Sequence, residues 1–167
     1  GTIHMGPAVV LRGAEAACVY YRGLLAELEE RAAAGTAAVP GEVVRLYWDG
    51  MPIWGRLRAL SDVFAGFKAS VVASTYCNSW IFSTLNPAHP IRSMARSSLE
   101  LFIVRSEEPK EQYIEQMASF YRVDGILFHD CKTCPNNSNT RYGMPQRHAE
   151  RLGIPTLVLD GDVNDLR

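Results

Sequence analysis

Four cysteines, Cys18, Cys77, Cys131 and Cys134, are the side chains of this sequence with the widest chemical reach. Two of them form a Cys-x-x-Cys pair within His129-Asp130-Cys131-Lys132-Thr133-Cys134-Pro135-Asn136-Asn137-Ser138-Asn139. That spacing brings two sulfurs near enough to share a metal ion or close a disulfide, and thiolates are the soft ligands that iron–sulfur clusters require. Lys132 and a helix N-terminus following the pair would both favour the thiolate form. The pair by itself leaves three readings open: metal ligands, a thioredoxin-like dithiol, or two incidental cysteines. Pro135 and the Asn-rich stretch after it argue against the dithiol, which would enter a helix at once. Cys77 alone has the character of a packing residue at a strand end. Cys18, beside Val19 and Tyr20, reads as a small apolar residue of a helix. His129 next to Asp130 has the composition of an acid–base pair, yet a hydrogen-bonded histidine closing a strand is the simpler role. Trp48, Trp54 and Trp80 fall at strand ends or in loops, where they serve as core or as walls of a dry site. There is no Gly-x-Gly-x-x-Gly or Walker sequence. No Ser–His–acid set can be read from one sequence, and no catalytic residue is assigned.

The totals narrow the partners. With 167 residues, 47% hydrophobic and 21% charged, the chain can bury one good core. A net charge of −1 excludes broad electrostatic binding to nucleic acid or to an anionic membrane. No apolar run reaches membrane-spanning length, and Gly-Thr-Ile-His-Met is not the start of a signal peptide. The first five residues read as a vector scar or an internal cut. The expected setting is cytoplasmic, where cysteines point to metal or redox chemistry rather than to disulfides.

The elements that must position these thiols follow from hydrophobic spacing. Residues 1–40 predict a helical arm and connector. Its helix runs from Pro7 to Ala34, with Leu24, Leu25 and Leu28 on one face, and Gly35 to Gly41 form the connector. Residues 41–167 predict an α/β domain. Strands are expected at Val43–Trp48, Ser70–Tyr76, Gly125–His129 and Thr156–Asp160, and helices at Pro52–Phe67, from Pro90 through Val104, at Pro109–Tyr121 and at Thr140–Leu152. The alternation predicts a four-stranded parallel sheet flanked by helices, in flavodoxin- or Rossmann-like layers, with the helical arm N-terminal to it. Val71-Val72-Ala73, Ile126-Leu127-Phe128 and Leu157-Val158-Leu159 are apolar without alternation, as in strands buried on both faces. Few residues follow the fourth strand, which predicts a domain cut at its C-terminal end. The Leu face of the arm predicts only partial packing on the body and a homodimer of the fragment. In open α/β sheets ligands bind beyond the carboxyl ends of the strands. Four loops lie there: Asp49–Gly55, Tyr76–Trp80, Asp130–Asn139 and Gly161–Asp165. If the second and third strands are neighbours, Cys77, Cys131 and Cys134 gather at one edge.

Three stretches resemble one family. Val123-Asp124-Gly125-Ile126-Leu127-Phe128-His129 followed by Lys132-Thr133-Cys134 resembles a strand-and-cysteine segment of 2-hydroxyacyl-CoA dehydratase subunits. Arg151-Leu152-Gly153-Ile154-Pro155-Thr156-Leu157-Val158-Leu159-Asp160-Gly161-Asp162 resembles the family's Leu-Gly-Ile-Pro run. Tyr47-Trp48-Asp49-Gly50-Met51-Pro52 resembles the opening strand and turn of the second half of these subunits. Benzoyl-CoA reductase subunits share the pattern. The resemblance covers the chain from about Gly41 onward and implies the C-terminal domain of a dehydratase-like lyase subunit, inactive alone. It implies an acyl-CoA substrate, a homologous second subunit and an ATP-dependent activator protein that supplies a low-potential electron. It implies a [4Fe–4S] cluster held by three cysteines, and a ketyl radical on the thioester that permits loss of the 2-hydroxyl group. In the reductases the electron enters an aromatic ring instead. Cys134 matches the family's C-terminal cluster ligand. Cys131 and Cys77 remain further metal candidates without an assigned counterpart. The domain carrying the family's other two ligands is not part of the sequence, so the cluster is expected of the complete subunit. The alternative is a thiol redox or metal-binding α/β domain using Cys131 and Cys134.

Overall fold

A computed structural model describes residues 2–164 of the chain. Asp165, the predicted end of the fourth strand-end loop, lies outside the described residues. In chain order the elements are α1 (Gly6–Val10), α2 (Glu15–Ala33), β1 (Val44–Asp49), α3 (Leu57–Gly66), β2 (Ala69–Ser74), α4 (Thr75–Asn78), α5 (Pro90–Leu99), α6 (Glu107–Phe120), β3 (Gly125–Cys131), α7 (Met144–Leu152) and β4 (Thr156–Gly161). Short 3-10 turns include Trp54–Arg56, Phe102–Val104 and Pro135–Asn137.

The four strands form one parallel sheet in the order β2-β1-β3-β4. Parallel neighbours need a crossover, and the helices supply it. Asp124 sets the start of the central pair: its carboxylate accepts the Arg45 N–H at 2.8 Å and its own N–H donates to the Arg45 carbonyl at 2.7 Å. Tyr47 then lies beside Ile126 and Trp48 beside Leu127. One sheet face packs Tyr47, Ala73, Ile126 and Phe128 against Phe102, Ile114, Ala118 and Met144. The other packs Trp48, Leu127 and Ile53 with Leu60 and Phe64. Burial on both faces holds for β3 and fails for the edges: Val71 on β2 and Leu157 and Val158 on β4 are exposed. An edge strand has a neighbour on one side only, so an apolar run does not by itself mark a central strand.

Several predicted boundaries shift for physical reasons. The Pro7–Ala34 helix is two helices, broken before α2, where Gly13 takes φ +83. The second strand ends at Ser74, whose hydroxyl caps a helical turn by accepting the Cys77 N–H at 3.2 Å. The region after Pro90 stops at Leu99, and a 3-10 turn then carries Phe102 into the core. The last helix starts at Met144 rather than Thr140, because Tyr142 and Gly143 take φ +57 and +78. The arm meets the body through Arg12, which donates to the Trp80 carbonyl at 2.7 Å and lies over the Phe82 ring at 4.2 Å. Leu25 and Leu28 are exposed. No helix among the described residues is long and apolar enough to cross a membrane.

Helices α6 and α7 are joined by ions. Buried Glu111 accepts from Arg147 Nε and from Arg151 Nη1, each at 2.6 Å, with Glu107 and Glu115 one turn to either side also pairing with these arginines. Burial pushes the Glu111 carboxyl up, but the two guanidiniums win and hold it below its ordinary value. Glu111→Ala is expected to cost about 1–2 kcal/mol, less than a fully buried pair because the guanidiniums remain half-exposed. Urea denaturation checks this; an unchanged midpoint would show the clamp to be inert.

Candidate functional site

The carboxyl edge of the sheet is built around the Cys131–Asn139 loop. Cys131 is the last residue of β3, and Ser138 folds the loop back on it. The Ser138 hydroxyl accepts the Cys131 N–H at 2.9 Å and turns its own proton toward the carbonyls of Cys131 and Cys134, each 3.0 Å away. Cys134 N–H donates to the Cys131 carbonyl and Asn137 N–H to the Cys134 carbonyl, both at 3.1 Å. The half-buried Cys134 therefore sits on a closed turn, at the N-cap of the single 3-10 turn Pro135–Asn137 rather than at the start of an α-helix. Gly50 makes room beneath: a Cβ there would lie 2.6 Å from the His129 carbonyl oxygen and 3.2 Å from that of Asn137.

A polar network whose members the sequence did not link lies against this loop. Asp49, fully buried at the end of β1, accepts from Thr75 Oγ1 at 2.6 Å and from Asn139 Nδ2 at 3.2 and 3.0 Å. Thr75 has one proton and gives it to Asp49, so the Tyr47 hydroxyl, 2.8 Å away, donates to Thr75. Lys110 Nζ donates to Asn139 Oδ1 at 3.3 Å and lies 5.4 Å from the Phe102 ring centre. Burial raises the Asp49 carboxyl to about 6, against hydrogen bonds from Thr75 and Asn139 and the charge of Lys110 that lower it. Burial likewise lowers the Lys110 ammonium, opposed by Asp49 and Glu107. Burial raises the Tyr47 phenol, and the Asp49 charge adds to this.

The linkage has a definite sign. An unfolded Asp releases its proton near 3.8 and folded Asp49 near about 6, so between these the folded state holds more protons. The stability contributed by Asp49 is present below about pH 4, falls as pH rises to about 6, and is constant above. His148, depressed by burial, runs oppositely and loses stability as pH falls below its ordinary value. The difference between wild type and Asp49→Asn isolates the Asp49 component. Urea titrations should show wild type losing ground to the variant across about pH 4 to 6; a difference independent of pH would refute the assignment.

The predicted residues separate. β1 lies between β2 and β3, so the second and third strands are not neighbours and Cys77 does not adjoin the Cys-x-x-Cys pair through the sheet. Cys77 occupies α4, past the end of β2. Cys131 is buried, its Sγ 3.6 Å from Thr133 Oγ1 and 3.9 Å from Asp162 Oδ1, and the Thr133 hydroxyl also donates to Asp162. Burial raises the Tyr76 phenol, and Cys77 and Cys134 both add to this. Trp54 and Trp80 flank Tyr76 edge-on, with ring centres at 5.5 and 6.1 Å, forming an aromatic wall. The Lys132 ammonium is held by Asp130 at 2.9 Å and Asp160 at 3.1 Å, so its charge is turned to carboxylates rather than spent on Cys134. His129 is hydrogen-bonded as expected but does not close the strand, since β3 continues two residues past it to Cys131: Nδ1–H donates to the Met51 carbonyl at 2.6 Å and the ring packs on Trp48. Cys18 is exposed on α2.

Two clefts open nearby, the second of them against Lys110 and Asn139 of the network. One of about 380 Å³ runs between Asn78, Phe82, Arg105, Tyr113 and Phe120. The other, about 290 Å³, is lined by Lys110, Asn136, Ser138, Asn139 and Arg141. Among the described residues no three His, Cys, Asp or Glu side chains are grouped to hold a metal ion. A three-thiolate iron–sulfur site is therefore not complete within them, and Cys134 is a single half-buried donor. Asp49 left one sequence signal, an acid closing an apolar strand before Gly50. Lys110 left none, since a helix lysine normally faces water.

The comparisons with known proteins bear on this geometry. Residues 1–167 match the family described as 2-hydroxyglutaryl-CoA dehydratase, D-component. The chain is similar to (R)-2-hydroxyglutaryl-CoA dehydratase, subunit alpha, of Acidaminococcus fermentans, with 27% identity over 98% of the chain and 34% of the relative. It is similar to the (R)-2-hydroxyisocaproyl-CoA dehydratase alpha subunit of Clostridioides difficile, with 25% identity over 98% of the chain and 40% of the relative. It also resembles lactoyl-CoA dehydratase subunit alpha of Anaerotignum propionicum, with 24% identity over 98% and 39%. The chain thus spans between 34% and 40% of the length of these curated relatives.

Proposed function

This chain belongs to the 2-hydroxyglutaryl-CoA dehydratase D-component family, and from that premise we propose that it forms part of an alpha-type subunit of a 2-hydroxyacyl-CoA dehydratase, a lyase acting on acyl-CoA thioesters. The observation that carries the reading is the family match over residues 1–167; Cys134, which by sequence resemblance stands where the family has its C-terminal cluster ligand, lies on a loop closed by Ser138 and anchored through Asn139 at the carboxyl edge of the sheet. In this reading Cys134 supplies one thiolate to a [4Fe–4S] cluster whose other ligands lie outside the described residues. The cluster, when bound, would deliver an electron to the thioester. The chain's own part is to hold its sulfur on a rigid turn, with Tyr76, Trp54 and Trp80 walling the edge against water. The names of the relatives, all dehydratases, favour dehydration over aromatic ring reduction. The dithiol alternative is less favoured, because the Cys131 sulfur is buried toward Thr133 and Asp162. A second subunit, an ATP-dependent activator and a cytoplasmic setting complete the proposal. The relatives' designation as alpha subunits supports the second subunit, as do the exposed Val10, Val19, Leu25 and Leu28 of the arm.

The test uses the full-length protein, purified without oxygen together with its partner subunit and activator. Iron and sulfide are assayed, and 2-hydroxyacyl-CoA substrates are followed by mass spectrometry for loss of water. Bound iron with formation of the enoyl-CoA product is expected. Protein that takes up no iron on reconstitution and dehydrates none of these thioesters overturns the reading.

A further inference from the structure

The two cysteines with half-buried thiols ride on separate segments. Cys77 lies in α4 beyond β2, and Cys134 lies in the loop beyond β3. Between them stands β1, the strand that touches both β2 and β3. Its last residue, Asp49, reaches each side with one hydrogen-bonding partner. Thr75, the first residue of α4, donates to Oδ1 at 2.6 Å. Asn139, five residues past Cys134, donates to both oxygens. The far oxygen of Asn139 accepts from Lys110 on α6, so the amide stands between a carboxylate and an ammonium in a single orientation. Turning that amide over would place its NH₂ against Lys110 and its oxygen against Asp49, a repulsion at both ends. Asp49, Thr75, Asn139 and Lys110 are all buried, where a mismatched polar contact is costly.

We propose that Asp49 is a positioning residue that locks the Cys77 turn, through Thr75, and the Cys134 loop, through Asn139 and Lys110, to the end of the central strand, and so fixes the two thiols relative to each other. Tyr76, in α4 beside Cys77, has its phenol raised by burial and then by both Cys77 and Cys134, one thiol from each of the segments that the clamp joins. What this positioning does for iron rests on the dehydratase reading; the clamp itself does not.

A reciprocal swap tests it. In Asp49→Asn the new amide faces the amide of Asn139, and Lys110 loses its nearest buried counter-charge. In Asn139→Asp two carboxylates face each other. In the double variant the pattern is restored with the charge moved across: Thr75 donates to the Asn oxygen, and the Asn amide and Lys110 both donate to the new carboxylate. The full-length protein is freed of metal by a chelator and treated with iodoacetamide, and each cysteine is followed by peptide mass spectrometry, with exposed Cys18 as the internal standard. Each single variant is expected to raise the Cys134 rate about tenfold relative to Cys18 by loosening the loop, with Asp49→Asn raising Cys77 as well. The swap is expected to bring both close to wild type. Thr75→Val should raise Cys77 and leave Cys134 nearly unchanged.

If a single variant fails to fold by circular dichroism, recovery of the fold in the swap supports the pairing. A swap as reactive or as unfolded as the single variants overturns the clamp, as do single variants whose Cys134 rate equals wild type. Iron is assayed in parallel on unchelated protein. Wild type without iron removes the cluster reading and leaves the clamp to be judged by alkylation alone.

Discussion

Cys134→Ser in the full-length protein is expected to lose most of its bound iron and to reduce turnover by about 100-fold or more, whereas Cys18→Ser changes neither. Serine keeps nearly the volume of cysteine but replaces a soft thiolate with a hard, protonated hydroxyl that binds iron poorly. Losses of 10–100-fold are typical when groups merely adjacent to metal ligands are removed, so a ligand itself should do at least as much. The loop around residue 134 should survive, because its closure uses backbone groups and Ser138 rather than the thiol. Cys18 is exposed on α2, far along the chain from the sheet edge. Cys131→Ser is the informative companion. Its sulfur packs against Thr133 and Asp162, so the expected effect is on stability with iron largely retained. Iron per subunit and turnover, measured on anaerobically purified variants, decide the matter. Full iron and full activity in Cys134→Ser refute the ligand assignment, and equal iron loss from Cys131→Ser and Cys134→Ser favours a paired-thiol site.

Gly50→Ala carries the largest expected cost to stability, about 3 kcal/mol or more. Two penalties coincide. Gly50 has φ +96, a conformation that L side chains rarely adopt. The added Cβ would also lie 2.6 Å from the His129 carbonyl oxygen and 3.2 Å from that of Asn137. Both obstacles are backbone, so no side chain can swing aside. The strain falls on β3 and on the loop that carries Cys134, and iron retention should drop together with stability. Gly23→Ala is the control: Gly23 lies within α2 with nothing within 4 Å of a new Cβ, and alanine there should stabilise by about 0.5–1 kcal/mol. Urea unfolding of both variants checks the pair. A Gly50→Ala cost below about 1 kcal/mol would contradict the close approach of the strand-end backbones.

Much of the architecture was written locally. Four short apolar runs announced four strands, three of them bounded by Gly, Pro or Asp and the second marked by its Val71-Val72-Ala73 core, and helical spacing between them required parallel crossovers. The stretches that resembled a family have plain structural work. Asp124 joins the starts of β1 and β3, Gly153 ends α7 with φ +65, and Gly50 admits the neighbouring strand's carbonyl. Each acts through its own backbone or a fixed neighbour, which is why sequence alone could carry it. The break at Gly13 and the late start of α7 at Gly143 had signals too, glycines where a helix was read through.

What the sequence left open depended on which strands became neighbours. Local pattern gives strand number and direction, but lateral order is set by how crossovers pack, and β1 came to lie between β2 and β3, so Cys77 and the Cys-x-x-Cys pair are carried on strands that are not sheet neighbours. The same placement put Asp49 where Thr75, 26 residues away, and Asn139, 90 residues away, both reach it. Lys110 looked like a solvated helix residue until α6 laid it over Phe102 and beside Asn139. Lys132, adjacent to the cysteine pair in sequence, was drawn instead to Asp130 and Asp160. Sequence thus determined the strands, the parallel layers and the presence of a thiol at a strand end, because those follow from short-range sterics and burial. Tertiary structure alone decided which thiol stays half-buried at the edge, which is sealed, and which buried charges hold the loop, because such interactions exist only once distant segments share a low-dielectric interior.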